Sequence, residues 1–282
     1  MNALSVVVLG SLHYDIFIES NTIPKIGETV LGRKWYPKLG GKGANQAKAI
    51  AKSGTAVKFI SAIGNDFFSE FLLRELKKYK INLEFIQKKQ MNSGMSVAVS
   101  NRDGDYSATV VSGANLNISR STFNDEALWL NSKYLLLQNE ITEEINIYAA
   151  LEAKKRNLTV LLNAAPAKDI NKDLKFLIDI LIVNEVEAIQ LINDETKNLV
   201  EISKKLSDEF PLVIITAGSK GITYCKKGEE PTSIPSIKVK VQNTHGAGDY
   251  FIGTLCANLI SGKSISNAIN FANQMAANFV SK

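Results

Sequence analysis

Short apolar runs rich in β-branched residues recur along the chain: "SVVVLG" (5–10), "VKFISAIG" (57–64), "YLLLQNE" (134–140), "LTVLLNAAP" (158–166), "ILIVNE" (180–185) and "LVIITAG" (212–218). Each has a near-continuous apolar centre and most end in Gly, Asn or a carboxylate, so they read as strands covered on both faces. Between them, residues 43–53, 66–79, 142–156 and 197–209 carry apolar side chains at helical spacing. Strand and helix in alternation predict an α/β fold: a doubly wound, mostly parallel sheet with helices on both faces. In such sheets ligands bind beyond the carboxyl ends of the strands. The polar residues at those ends are therefore the first candidates for chemistry.

Two segments break the alternation. Residues 13–39 and 93–113 show period-two apolar spacing with turn signals such as "RDGD" (102–105), the pattern of strands joined by tight turns. They predict a small β-sheet excursion, either a lid over a site or an extension of the sheet edge, and the pattern alone does not choose. No internal repeat or low-complexity linker divides the chain. Residues 1–282 therefore read as a single domain with this excursion attached.

With 282 residues, 45% of them apolar, the chain can bury a substantial core. A charge of +5, from 33 Lys+Arg against 28 Asp+Glu, mildly favours anionic ligands such as nucleotides or sugar phosphates. The lysines are scattered and form no basic stripe interleaved with aromatics, which argues against a nucleic-acid partner. Cys225 and Cys256 lack CxxC spacing and fit a reducing, cytoplasmic setting. Two histidines leave no His-rich metal site. The apolar N-terminal run lacks a basic flank and turns polar quickly, so it reads as a strand and not as a signal peptide. No stretch approaches the roughly 18 apolar residues needed to cross a bilayer, so no membrane partner is expected.

Two glycine-rich stretches carry the candidate chemistry. "LGGKGANQAKAIAKSG" (39–54) joins Gly40, Gly41 and Gly43 to a helix-forming run, which lets a backbone approach a ligand closely. It is not a dinucleotide GxGxxG, since Gln46 stands where the third glycine belongs; "GKS" (262–264) is not a Walker loop, since Ala257 replaces its first glycine. "THGAGD" (244–249) places Gly246, Ala247 and Gly248 directly before Asp249. Small residues at a helix start form an anion-binding concavity. A carboxylate beside bound phosphate repels it unless it has a task, such as taking a proton from an incoming hydroxyl. The same acid also fits an ordinary N-terminal helix carboxylate favoured by the dipole. Both readings stay open on these residues alone.

In order along the chain, "LGSLHYD" (9–15), "PKIGETVLG" (24–32), "GGKGANQA" (40–47), "VSGAN" (111–115), "LQNE" (137–140), "LNAAPA" (162–167), "NEVE" (184–187), "TAGSKG" (216–221) and "NTHGAGDYF" (243–251) resemble the ribokinase-like carbohydrate kinase family. The resemblance implies a doubly wound α/β domain with a small β-sheet lid. It also implies transfer of the γ-phosphoryl of ATP, with Mg2+, to the hydroxymethyl group of a pentose, D-ribose first. Another furanose or a nucleoside is the alternative acceptor, and a catalytically silent sugar- or nucleotide-binding regulator is the alternative class.

On the matching positions, Asp249 becomes the base and the amides of Gly246, Ala247 and Gly248 the anion hole. Asp15, Gly41, Lys42, Asn45 and Glu140 fall on sugar-pocket positions, and so does His13, where the family has Asn. Tyr14 beside it is counted among the residues that select the acceptor. Asn184 falls on the nucleotide side and Glu187 on the Mg2+ and phosphate side, while the same N-x-x-E spacing also fits a helix cap. Thr216, Gly218, Ser219 and Gly221 match the turn lining the nucleotide site, and Asn273 lies near the adenine. His245 either contacts phosphate or fills space. Asn243 replaces the family's Asp, and the chain given stops at Lys282 before the family's C-terminal loop, which argues against K+ activation of the usual kind. The resemblance further suggests a homodimer formed through the lid.

Overall fold

The computed structural model describes residues 3–281 except 103, 104, 194, 195 and 197; the centre of the "RDGD" turn signal and Lys282 lie outside them. The chain opens with β1 (Ser5–Leu9), β2 (His13–Ser20), β3 (Gly32–Gly40), α1 (Lys42–Lys52), β4 (Ala56–Ile63), α2 (Phe67–Lys77) and β5 (Ile86–Lys88). It continues through β6 (Gly94–Ser100), β7 (Tyr106–Val111), α3 (Glu126–Trp129), β8 (Ser132–Gln138), α4 (Glu143–Lys155), β9 (Thr159–Asn163), α5 (Lys172–Lys175) and β10 (Ile180–Asn184). It closes with α6 (Glu185–Ile192), α7 (Leu199–Glu209), β11 (Leu212–Thr216), β12 (Ile222–Lys226), β13 (Thr232–Ile234), α8 (Ala247–Ile260) and α9 (Ile265–Val280).

The large sheet runs β13-β12-β11-β10-β9-β8-β1-β4-β5. From β11 to β5 every pairing is parallel, and β12 and β13 add an antiparallel edge. The continuous apolar runs are explained by two-sided cover: Val6, Val7, Val8 and Leu9 of β1 are all fully buried. Val7 and Leu9 join one hydrophobic cluster, with α4 residues such as Ile145 and Ala149. Val6 and Val8 join the other, with α1, α8 and α9 residues such as Ile50, Leu255 and Ile269. Strand order reverses between β1 and β8, which makes a crevice at their carboxyl ends.

The two period-two segments form a separate four-stranded sheet, ordered β3-β2-β6-β7. It is mixed: β2 pairs antiparallel with β3 but parallel with β6, and β6 pairs antiparallel with β7. Alternation gives it two chemically distinct faces. His13, Asp15 and Phe17 of β2 face the crevice with Tyr36, Lys38, Ser96 and Ala98. Tyr14 faces the opposite way, its ring stacked on Phe68 of α2 at 4.1 Å and edge-on to Phe71 at 4.9 Å. This corrects the expectation for Tyr14, which anchors the small sheet to α2 and lines no acceptor pocket.

Candidate active site

The carboxyl ends of β8 to β11 and the first turn of α1 open into a cleft of about 660 Å³, closed on the far side by the small sheet. A second hollow of about 540 Å³ adjoins it, lined by the 216–221 turn, Val239, Val241, Phe251, Ala276 and Val280. The two share Thr216, Thr244 and Gly248. The residues expected to form the phosphoryl-transfer centre therefore stand at the junction of a polar cleft and a more apolar one.

Asp249 occupies the third position of α8, after the N-cap Gly246, Ala247 and Gly248. Gly246 has φ +79°, and its neighbourhood is open, with Phe279 the nearest atom to an added Cβ at 3.9 Å. Glycine is required there by backbone conformation and not by space. The Ala247 amide donates to the Thr244 carbonyl at 3.1 Å. The Gly246 and Gly248 N–H groups, by contrast, have no acceptor among the described residues. The Asp249 carboxylate turns away from its helix towards α1, where Gln46 Nε2 donates to Oδ1 at 2.9 Å and Asn45 Nδ2 to Oδ2 at 3.4 Å. Burial pushes its pKa up to about 6, opposed by Lys42 and the Gln46 bond, raised by Glu140 and lowered by Asn45. Asp249 as a whole residue is half-buried on the wall of the cleft.

The expected sugar-side residues converge on the same cleft. Asp15, only 7% exposed, lies between Lys38 and Ser96 in the register of its two neighbouring strands, and Ser96 Oγ donates to its Oδ1 at 2.6 Å. Its pKa is also pushed up to about 6, mainly by burial, with the Ser96 bond opposing. Gly41 caps α1 at φ +89°, and an added Cβ would lie 2.6 Å from the Ser11 carbonyl. The Lys42 amide donates to Glu140 Oε2 at 2.9 Å, and Ser11 Oγ donates to the same oxygen. Asn45 Oδ1 accepts from Lys48 Nζ at 3.1 Å. His13 is buried, and its Nε2 has no hydrogen-bond partner among the described residues. Gly94 makes room for the ring, since a Cβ there would lie 2.5 Å from His13 Cδ2. Burial holds the imidazole below its usual pKa, with Glu140 raising it and Lys42 lowering it.

On the other side, Asn184 and Glu187 form a reciprocal capping box at the start of α6. The Glu187 amide donates to Asn184 Oδ1 and the Asn184 amide to Glu187 Oε2, each at 2.8 Å. Both residues also line the cleft, so the cap and a ligand-facing position coexist. Burial raises the Glu187 pKa, opposed by the Asn184 amide and Lys42. Thr216, Gly218, Ser219, Gly221 and Asn273 line the second hollow, with Ala247. Asn273 Nδ2 is engaged with the Pro235 carbonyl at 3.0 Å. His245 sets its ring edge-on to Phe17 at 5.3 Å, tying the motif to the small sheet. Burial, then Lys38, Lys42 and Lys48, lower its pKa. Asn243 Oδ1 accepts from the His245 amide at 2.8 Å in a local turn.

Sequence reasoning missed Gln46, Asn163, Ser11 and Ser96. Gln46 left a readable signal. It is a polar residue on the core face of α1, three residues after Gly43 and four before Ile50, all buried, where an amide needs partners. The two serines carried no such sign, because a small polar residue just after a strand, as Ser11 is, or within a period-two strand, as Ser96 is, is common.

The sequence pattern of the pfkB family carbohydrate kinases matches residues 3–282. A ribokinase of Lactococcus lactis is 35% identical over 271 residues, covering 95% of this chain and 87% of its own. A deoxyribokinase of Salmonella typhi is 30% identical, covering 97% and 92%. The structure of Arabidopsis thaliana ribokinase complexed with ribose and ATP superimposes with a TM-score of 0.90 at 30% identity, covering 99% of this chain and 93% of that one. The match spans both sheets and every motif around the junction, and it makes the chain a member of the pfkB family of carbohydrate kinases, a phosphotransferase that acts on a sugar hydroxyl.

Proposed function

We propose that the protein transfers the γ-phosphoryl of ATP to the hydroxymethyl group of a pentose, D-ribose first. The observation that carries this reading is the position of Asp249. It is a carboxylate one residue from Gly248, where the polar cleft meets the second hollow. The polar cleft would take the sugar, with Asp15 and Asn45 suited to vicinal hydroxyls. The second hollow would take the adenine and ribose of ATP. Asp249 then accepts the proton of the attacking hydroxyl as the γ-phosphoryl moves across, and the amides of Gly246 and Gly248 meet its developing charge. Lys42 and Lys48 offset part of that charge from α1. No side chain is needed as a phosphate-carrying nucleophile, so transfer is direct.

Mg2+ is bound through one or two carboxylates, waters and substrate phosphates, and the Glu187 carboxylate on the cleft wall fits that sparse donor set. With Asn184 it would hold the ion, which would neutralise phosphate charge. Asn243 is a neutral amide occupied in its own turn, and the reading expects turnover without K+. The small sheet acts as the lid in this reading, excluding water from the acceptor.

A second acceptor class is favoured by one observation: His13 brings a buried ring nitrogen without a protein partner to the sugar cleft, which suits a different hydroxyl pattern, such as that of 2-deoxyribose. A coupled ADP assay with Mg-ATP over ribose, 2-deoxyribose, fructose and several nucleosides, with and without K+, tests the proposal. Ribose should rank first. A deoxypentose or nucleoside far ahead of ribose reassigns the acceptor, and no sugar-dependent ADP at all overturns the reading.

A further inference from the structure

Gln46 is fully buried, and each of its polar groups is used. Nε2 donates to Asp249 Oδ1 at 2.9 Å and to Asn163 Oδ1 at 3.0 Å, while Oε1 accepts from Gln138 Nε2 at 2.8 Å. Asn163 is itself fixed, since its Nδ2 donates to the Ile182 carbonyl of β10 at 3.2 Å. A backbone carbonyl admits only a donor. Asn163 must therefore offer Oδ1 to Gln46, and Gln46 must offer Nε2 to both Asn163 and Asp249. The carboxyl ends of β8 and β9, with the Ile182 carbonyl within β10, thus set the sense of a chain of amides that terminates on one oxygen of Asp249.

We propose that Gln46 is a positioning residue for phosphoryl transfer: it anchors Asp249 through Oδ1 and leaves Oδ2 presented to the acceptor hydroxyl. This rests on the reading of Asp249 as the base. The long 3.4 Å contact from Asn45 leaves Oδ2 much the weaker-held oxygen. The amide also favours the charged form of the carboxyl, because it donates to it in a site shielded from bulk water. The other charged groups facing Asp249 are Lys42 and Lys48 of α1 and Glu140 beyond β8. Asp15 of β2, Glu187 of α6 and His245 line the same cleft.

The test is Gln46→Met, which keeps length and removes both polar ends. It should lower kcat roughly 10- to 100-fold, as a displaced reacting group does, with both KM values within about two-fold. The acid limb of the kcat profile should move to higher pH, a change that loss of packing would not produce. In the Asp249→Asn background Gln46→Met should cost little more, because the two act as one unit. If Gln46→Met does not fold, Asn163→Ala, which loosens the same amide, should give the same two changes in smaller measure. An unmoved acid limb, or a full additional loss in the Asp249→Asn background, overturns the role of Gln46 while leaving the base in place. Retained turnover in Asp249→Asn alone would instead overturn the base on which it rests.

Discussion

Lowering pH should switch the enzyme off through two carboxyls at once. Asp249 and Asp15 stand on opposite walls of the cleft, and each has its pKa raised to about 6, chiefly by burial, against about 3.9 for a free Asp. Each is useful only when ionised: Asp249 to take a proton, Asp15 to accept hydrogen bonds from sugar hydroxyls. At pH 8 about 99% of each is charged, and at pH 5 about a tenth, from the ordinary titration relation. Where both are needed, kcat/KM for the sugar should fall about 100-fold between pH 8 and pH 5, with a limiting slope near 2. Only Asp249 controls kcat at saturating sugar, so the acid limb of kcat should have slope 1. Initial rates over this range in constant ionic strength give both profiles. Asp15→Asn should reduce the kcat/KM slope to 1 and leave the kcat limb in place. A limb in both profiles near pH 4, or a slope of 1 in kcat/KM for the unaltered protein, would refute the reasoning.

Further outcomes follow from the same geometry. A folded-state carboxyl pKa raised above its unfolded value means that the folded form binds the proton more tightly between about pH 4 and 6. Stability is then lost as pH rises through that window, and the cost is fully present above it. At most about 3 kcal/mol is at stake for Asp249, and less because the residue is only half-buried. Asp249→Asn should raise Tm by a few degrees at pH 7.5 and by little at pH 4, as calorimetry would show. Gly246→Ala forces a side chain onto φ +79° at roughly 1–2 kcal/mol and should lower both Tm and turnover. Gly248→Ala meets no neighbour within 4 Å, so it should keep Tm and lose turnover. Asp15→Asn should raise the sugar KM by roughly 10-fold or more, the worth of a charged hydrogen bond, with the ATP KM unchanged.

The large sheet was legible because its strands are buried on both faces. Continuous apolar runs such as 5–10 and 180–185 fall within a residue of β1 and β10. Helices α1, α2, α4 and α7 showed their stripes for the complementary reason, one face in the core and one in water. Helix α8 has no such stripe, since Phe251 to Asn258 are all buried, and its periodicity was unreadable. Strands β12 and β13 lie at the sheet edge with Lys226, Thr232 and Ser233, and such a mixture does not stand out from a loop. Alternation in 13–39 and 93–113 predicted strands but not their partners: the parallel pairing of β2 with β6 depends on residues 81 positions apart. The site divided in the same way. Glycines and acids in fixed motifs were found from the chain alone, whereas Asn163 and Ser96 gain their meaning only from what the fold places beside them.

The most direct test of Asp249 as the proton acceptor at the junction of the two hollows is single-turnover transfer of the γ-phosphoryl from labelled ATP to the preferred sugar, comparing the unaltered protein with Asp249→Asn under conditions where both bind sugar and ATP. Loss of a general base should slow the transfer step by roughly 10²-fold or more, with the folded state intact. A transfer rate within a few-fold of the unaltered protein would contradict the account.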